Sequence, residues 1–130
     1  MKRTVKETKK ILLVEDDPFL IDIYSTKLKE TGFAVVIAND GEEALEKIVQ
    51  EKPDLVLLDI VLPRVDGWET LSRIKKDSRF SDLKIIVLSN LGQAQEVKKG
   101  LELGAAGYLI KSHYAPSEII EEIKKILYNK

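Results

Sequence analysis

Apolar residues along the chain follow two alternating patterns. Short β-rich runs occur at Ile11 to Val14, Ala34 to Ile37, Leu55 to Leu58, Ile85 to Leu88 and Tyr108 to Ile110. The run Leu55 to Leu58 has no polar residue at every second position, so it predicts a strand covered on both faces, as in a parallel sheet flanked by helices. Between the runs, apolar residues recur at helical spacing. Leu20, Ile23, Tyr24 and Leu28 share one helical face, with Asp17 and Pro18 suited to its start and Gly32 to its end. Asp40 to Glu43 reads as a capping box before Ala44, Leu45, Ile48 and Val49, and Pro53 closes that helix. A third helix carries Trp68, Leu71 and Ile74, and a last one begins near Pro116 and buries Ile119, Ile120, Ile123, Ile126 and Leu127. The fourth, Gln93 to Glu102, has a thin stripe of Ala94, Val97 and Leu101, with Gly100 inside it costing about 1 kcal/mol against alanine. It is the most marginal of the five. The alternation of strand and helix predicts an α/β fold of five β-α units.

Connections between parallel strands are right-handed crossovers, so the carboxyl ends of all the strands share one edge. Ligands of such open sheets bind outside that edge. The polar residues that end the strands therefore converge: Glu15 and Asp16 after the first, Asp59 after the third, Ser89 after the fourth and Lys111 after the fifth. Each alone could be a helix cap or a solvated strand end. Together they are the residue types that a phosphate site needs.

Composition narrows the chemistry. A chain of 130 residues, 44% apolar and 33% charged, is one ordinary globular domain with a single core. Lys and Arg total 21 against 22 for Asp and Glu, so no overall field favours nucleic acid or an anionic membrane, and no direct nucleic-acid partner is expected. The absence of cysteine removes disulfides, thiol catalysis and cysteine-ligated zinc. No apolar run is long enough for a membrane span, and the polar start Met1 to Lys10 has no signal-peptide core, so the expectation is a cytoplasmic protein without membrane insertion. Three crowded carboxylates repel one another unless a cation lies among them, and an all-oxygen set suits Mg²⁺ held by one or two carboxylates and water. Such an ion neutralises a phosphoryl group approaching the Asp59 carboxylate, while Lys111 supplies a second positive charge and Ser89 a hydroxyl donor.

With these residues in place the sequence resembles the receiver domain of bacterial two-component response regulators, of the single-domain, chemotaxis-regulator-like kind, from about Lys10 to Leu127. The resemblance implies a flavodoxin-like, doubly wound five-stranded parallel sheet in the order 2-1-3-4-5 with helices on both faces. It places the domain at residues 10–129 after a polar extension at residues 1–9. It implies a phosphorylation-controlled signalling switch rather than a metabolic enzyme, one that catalyses only its own phosphorylation and slow dephosphorylation. A histidine kinase or phosphotransfer protein would supply the phosphoryl group to Asp59. Mg²⁺ would sit on Asp16, Asp59, the Val61 carbonyl and, partly through water, Glu15. Ser89 and Tyr108 would move inward as the switch. The face of the fourth helix, fifth strand and fifth helix would be read by an unknown downstream protein, with homodimerisation on phosphorylation possible.

Three departures from the family pattern involve four positions. Ser112 follows Lys111 where a cis proline is usual, Asn90 replaces a common alanine or glycine, and aliphatic Val61 and Leu91 stand where polar groups are frequent. The first two leave a pseudo-receiver, which binds a partner without being phosphorylated, as the alternative. His113, the only histidine, has no ligand partners and reads as a surface residue. A phosphohydrolase would want an acid where Val61 stands, and a flavin carrier a hydroxyl- and glycine-rich loop in place of Glu15, Asp16 and Asp17. Only Tyr128, Asn129 and Lys130 follow Leu127, so the chain is expected either to act through a separate partner or to belong to a longer regulator.

Overall fold

The computed structural model describes residues 8–128. Five strands, β1 (Lys10–Val14), β2 (Ala34–Ala38), β3 (Leu55–Leu58), β4 (Lys84–Ser89) and β5 (Gly107–Ile110), pair in parallel in the order 2-1-3-4-5. They are connected by α1 (Pro18–Glu30), α2 (Gly41–Glu51), α3 (Gly67–Lys76) and α4 (Ala94–Glu102), and α5 (Pro116–Tyr128) follows β5. The flavodoxin-like fold expected from the sequence is the fold observed. Of the extension expected at residues 1–9, residues 1–7 lie outside the described residues.

Successive side chains of each strand point to opposite faces, and the core divides accordingly. Ile11, Leu13, Leu55, Leu57, Ile86 and Leu88 pack against Tyr24 and Leu28 of α1 and Ile119, Ile120 and Ile123 of α5. Leu12, Val14, Val56, Leu58, Ile85 and Val87 pack against Ala44 and Ile48 of α2 and Leu71 and Ile74 of α3. Leu55 to Leu58 are essentially inaccessible, as an unalternating central strand requires. Each such side chain contributes about 1.5–3 kcal/mol of burial, which is what pins β3, and the residue after it, in the middle of the sheet.

The helix starts follow local chemistry. Oδ1 of Asp17 accepts from the amides of Phe19 at 2.9 Å and Leu20 at 3.4 Å, satisfying the first donors of α1. The capping box at α2 is only half realised. Asp40 accepts from the Glu43 amide at 2.8 Å, but the Glu43 carboxylate takes the amide of Asn39 at 2.7 Å, one residue outside the expected partner. Short 3-10 turns at Ser78–Phe80 and Lys111–His113 were not anticipated. No peptide bond among the described residues is cis, so the chain passes from Lys111 to Ser112 in trans through the second of these turns.

Candidate functional site

The sheet register sets the site. The Asp59 amide donates to the Val14 carbonyl at 3.1 Å and the Glu15 amide to the Ala38 carbonyl at 3.0 Å, so each acid extends a strand by one residue at the carboxyl edge. Asp59 is then fixed by its own loop, its Oδ1 accepting from the amides of Ile60 at 2.7 Å and Val61 at 3.4 Å. Gly67, at the start of α3, closes the loop from behind. Its amide donates to the Ile60 carbonyl at 2.8 Å, and a Cβ there would collide with the Asp59 carbonyl oxygen and Ile60 Cα. Nothing in the sequence marks Gly67 for this contact with the Asp59 backbone.

Lys111 arrives from the end of β5. Its Nζ lies 2.7 Å from Oε1 of Glu15 and 2.9 Å from Oδ2 of Asp59, with all three side chains under 10% exposed. Burial pushes the Glu15 carboxyl above its usual range, against the opposing pull of Lys111. Burial also disfavours the Lys111 ammonium, but its hydrogen bonds to Glu15 and Asp59 outweigh that and leave its pKa above the usual lysine value. The sequence placed Lys111 in the site as a phosphate contact and did not anticipate a link to Glu15.

Asp16 is exposed beside them, and one oxygen each from Glu15, Asp16 and Asp59 lies within 4.8 Å of the others. These residues fit a divalent cation. Three formal negative charges face the single positive charge of Lys111, leaving an excess of two, and every side-chain donor in the cluster is a carboxylate oxygen, the set that hard ions prefer.

Ser89, at the end of β4, is fully buried, and its Oγ accepts from the Leu91 amide at 3.2 Å. Tyr108 points towards the same loop, its hydroxyl donating to the Leu91 carbonyl at 2.5 Å. Burial raises the Tyr108 pKa, with the charges of Glu96 and Asp59 adding to it. Val61 is 63% exposed at the rim, whereas Leu91 is half-buried against the α2/α3 side of the core. His113 is exposed in the turn after Lys111. Glu15, Asp16, Asp59, Ser89 and Lys111 thus lie at one edge of the sheet, the Lys111 ammonium touching both Glu15 and Asp59, while Tyr108 lies within β5.

Residues 11–124 match the response regulator receiver domain family. The chain belongs to that family. The receiver is 43% identical over 122 residues to the probable transcriptional regulator ycf27 of Guillardia theta, covering 93% of this chain and 46% of that protein. It is 36% identical over 118 residues to the DNA-binding dual master transcriptional regulator RpaA of Synechocystis, covering 91% of this chain and 48% of that protein. In structure it resembles the phosphorylated cyanobacterial phytochrome response regulator RcpA, with a TM-score of 0.83 and 31% identity, covering 95% of this chain and 96% of that one.

These relatives correct the partner expectations. No direct nucleic-acid partner was expected from charge balance, yet the receiver's relatives include transcriptional regulators, one of them DNA-binding. The receiver spans about half the length of the curated relatives it matches. A balance of charge summed over 130 residues therefore carries no weight on nucleic acid as a partner. No described helix is long and apolar enough to cross a membrane.

Proposed function

We propose that the receiver is a cytoplasmic signalling switch, folded as a unit over residues 10–129, in which Asp59 accepts a phosphoryl group from the phosphohistidine of a kinase. The observation that carries this is the contact of Lys111 with both Glu15 and Asp59 at the sheet edge. In the transfer the P–N bond to the donor histidine breaks as a bond forms from phosphorus to the Asp59 carboxylate oxygen. The donor nitrogen keeps the electron pair and takes up a proton. Asp59 is suited to attack because Ile60 and Val61 hold one oxygen by their amides, while the other accepts from the Lys111 ammonium.

Glu15, Asp16, Asp59 and the Val61 carbonyl are the groups that would hold Mg²⁺, which when bound supplies positive charge to the transferring phosphoryl oxygens. Lys111 leaves the carboxylates to bind one of those oxygens, and the Ser89 hydroxyl, held beside the loop at Leu91, donates to another. Positioning and charge are most of what phosphoryl transfer requires of a protein. The change would be read on the face of α4, β5 and α5, to which Tyr108 connects the loop. Incubation with acetyl phosphate and Mg²⁺, followed by borohydride reduction and peptide mapping, tests the assignment. Homoserine at position 59 is the expected product, and reduction at any other carboxylate would refute it.

A further inference from the structure

Gly100 is buried in the interior of α4, which has only 9 residues. Glycine there weakens a helix relative to alanine, so the position needs a reason. A Cβ on Gly100 would lie 2.7 Å from Cδ2 and 3.0 Å from Cε2 of Tyr108, closer than packed carbon atoms allow, and 3.7 Å from Cζ3 of Trp68. The ring of Tyr108 occupies the space that every other residue type would fill. From there its hydroxyl reaches the Leu91 carbonyl at 2.5 Å, and the Leu91 amide in turn donates to Ser89 Oγ at 3.2 Å. Lys99, the residue before Gly100, covers the other side of the cluster, its Nζ 4.4 Å from the centre of the Trp68 ring. Gly100, Tyr108, Leu91 and Ser89 form one continuous chain of contacts from α4 to the sheet edge that carries Asp59.

We propose that Gly100 is a positioning residue: the space left by its missing side chain keeps Tyr108 turned inward onto Leu91, which holds the loop between β4 and α4 beside Asp59 before any phosphoryl group arrives. The inward tyrosine is then the resting arrangement, which departs from the inward movement of Tyr108 on phosphorylation that the family resemblance implies. Phosphorylation meets a loop already placed rather than having to recruit it. This rests on the reading of Asp59 given above only for what the loop serves, since the contacts themselves need no phosphoryl group.

The test uses the full chain in chelator without a phosphodonor, so its outcome is independent of whether Asp59 is the acceptor. Urea midpoints are measured for Gly100→Ala, Tyr108→Leu and the double variant, with amide exchange at Leu91 and the emission of Trp68, the single tryptophan of the sequence. Gly100→Ala should lower the midpoint, shift Trp68 emission and speed Leu91 exchange. The same substitution in the Tyr108→Leu background should raise the midpoint, because alanine is the better helix former once the ring is gone. That reversal of sign is what a glycine with no part in holding Tyr108 does not produce. Tyr108→Phe keeps the ring and loses the hydroxyl, so Leu91 exchange should quicken about fivefold, the weight of one ordinary hydrogen bond, with Trp68 emission unchanged. A midpoint raised by Gly100→Ala in both backgrounds, or Leu91 exchange unaltered in Tyr108→Phe, would overturn the proposal. If Gly100→Ala alone does not fold, recovery of folding in the double variant with Tyr108→Leu supports the proposal, and a double variant that also fails to fold overturns it.

Discussion

The ammonium of Lys111 lies 2.9 Å from Oδ2 of Asp59, joining two residues 52 positions apart in the chain, and the same nitrogen is 2.7 Å from Oε1 of Glu15. One cation therefore serves two carboxylates, and on the proposed function it is the countercharge that a metal or phosphoryl group would displace or join.

Lys111→Met leaves Glu15 and Asp59 facing each other without that countercharge. Breaking a fully enclosed pair costs about 3–5 kcal/mol, and a pocket open to water at the sheet edge should lose less, about 2 kcal/mol. Urea unfolding in chelator measures this directly. No loss of stability would mean that the contact does not organise the site.

Glu15 holds its proton more tightly in the folded protein than in the unfolded chain, chiefly through burial. Between the ordinary carboxyl value of 4.5 and the raised folded value, the native state binds more protons, so stability falls as pH rises. The contribution of Glu15 is thus complete below pH 4.5 and lost as pH climbs through the folded value. Glu15→Gln should remove this part of the slope when urea midpoints are compared across that window without metal. Parallel profiles for the two proteins would assign the slope elsewhere.

If the three acids hold Mg²⁺, the folded state gains stability from the metal. At a concentration one hundred times the dissociation constant the gain is about 2.7 kcal/mol. Asp16→Ala removes the exposed member of the cluster without touching the contact between Lys111 and Asp59, and should abolish most of the gain while leaving metal-free stability within about 0.5 kcal/mol. Calorimetric titration with Mg²⁺ gives the dissociation constant for each protein. Equal affinities would remove Asp16 from the metal site.

Val61 at the rim and Leu91 in the adjoining loop are the two aliphatic side chains expected to flank the line along which water attacks an aspartyl phosphate. Aliphatic groups exclude a water and cannot orient one. Val61→Asn combined with Leu91→Glu should shorten the lifetime of the phosphorylated form about tenfold, equivalent to ~1.4 kcal/mol in the barrier. The decay of the phosphorylated mass peak times both proteins. Equal half-lives would show that neither side chain shields the group.

The fold was legible because β3 is so plainly buried on both faces that its neighbours had to be parallel, and the crossover rule then put Glu15, Asp59, Ser89 and Lys111 on one edge. Strand and helix ends were displaced by one residue in places, as at Lys10, Lys84 and Gly107, where pairing extends past the apolar run. What the sequence did not show were relationships set by backbone proximity. Gly67 and Gly100 look alike as letters, yet one abuts the Asp59 carbonyl and the other makes room for a tyrosine ring. The misplaced capping partner of Glu43 has the same origin, since a carboxylate at that position can reach either of two successive amides and spacing alone does not choose. Net charge failed for a different reason, because a sum over the chain has no spatial content.

The central claim, that Asp59 is a phosphoacceptor served by a metal and Lys111, is tested most directly by intact-mass measurement after incubation with acetyl phosphate. With Mg²⁺ present, the protein should gain the mass of one phosphoryl group, and Asp59→Ala, or the native chain in chelator, should gain none. A mass unchanged under all conditions would contradict the account and favour a receiver that works without phosphorylation, and undiminished labelling of Asp59→Ala would place the chemistry at another residue.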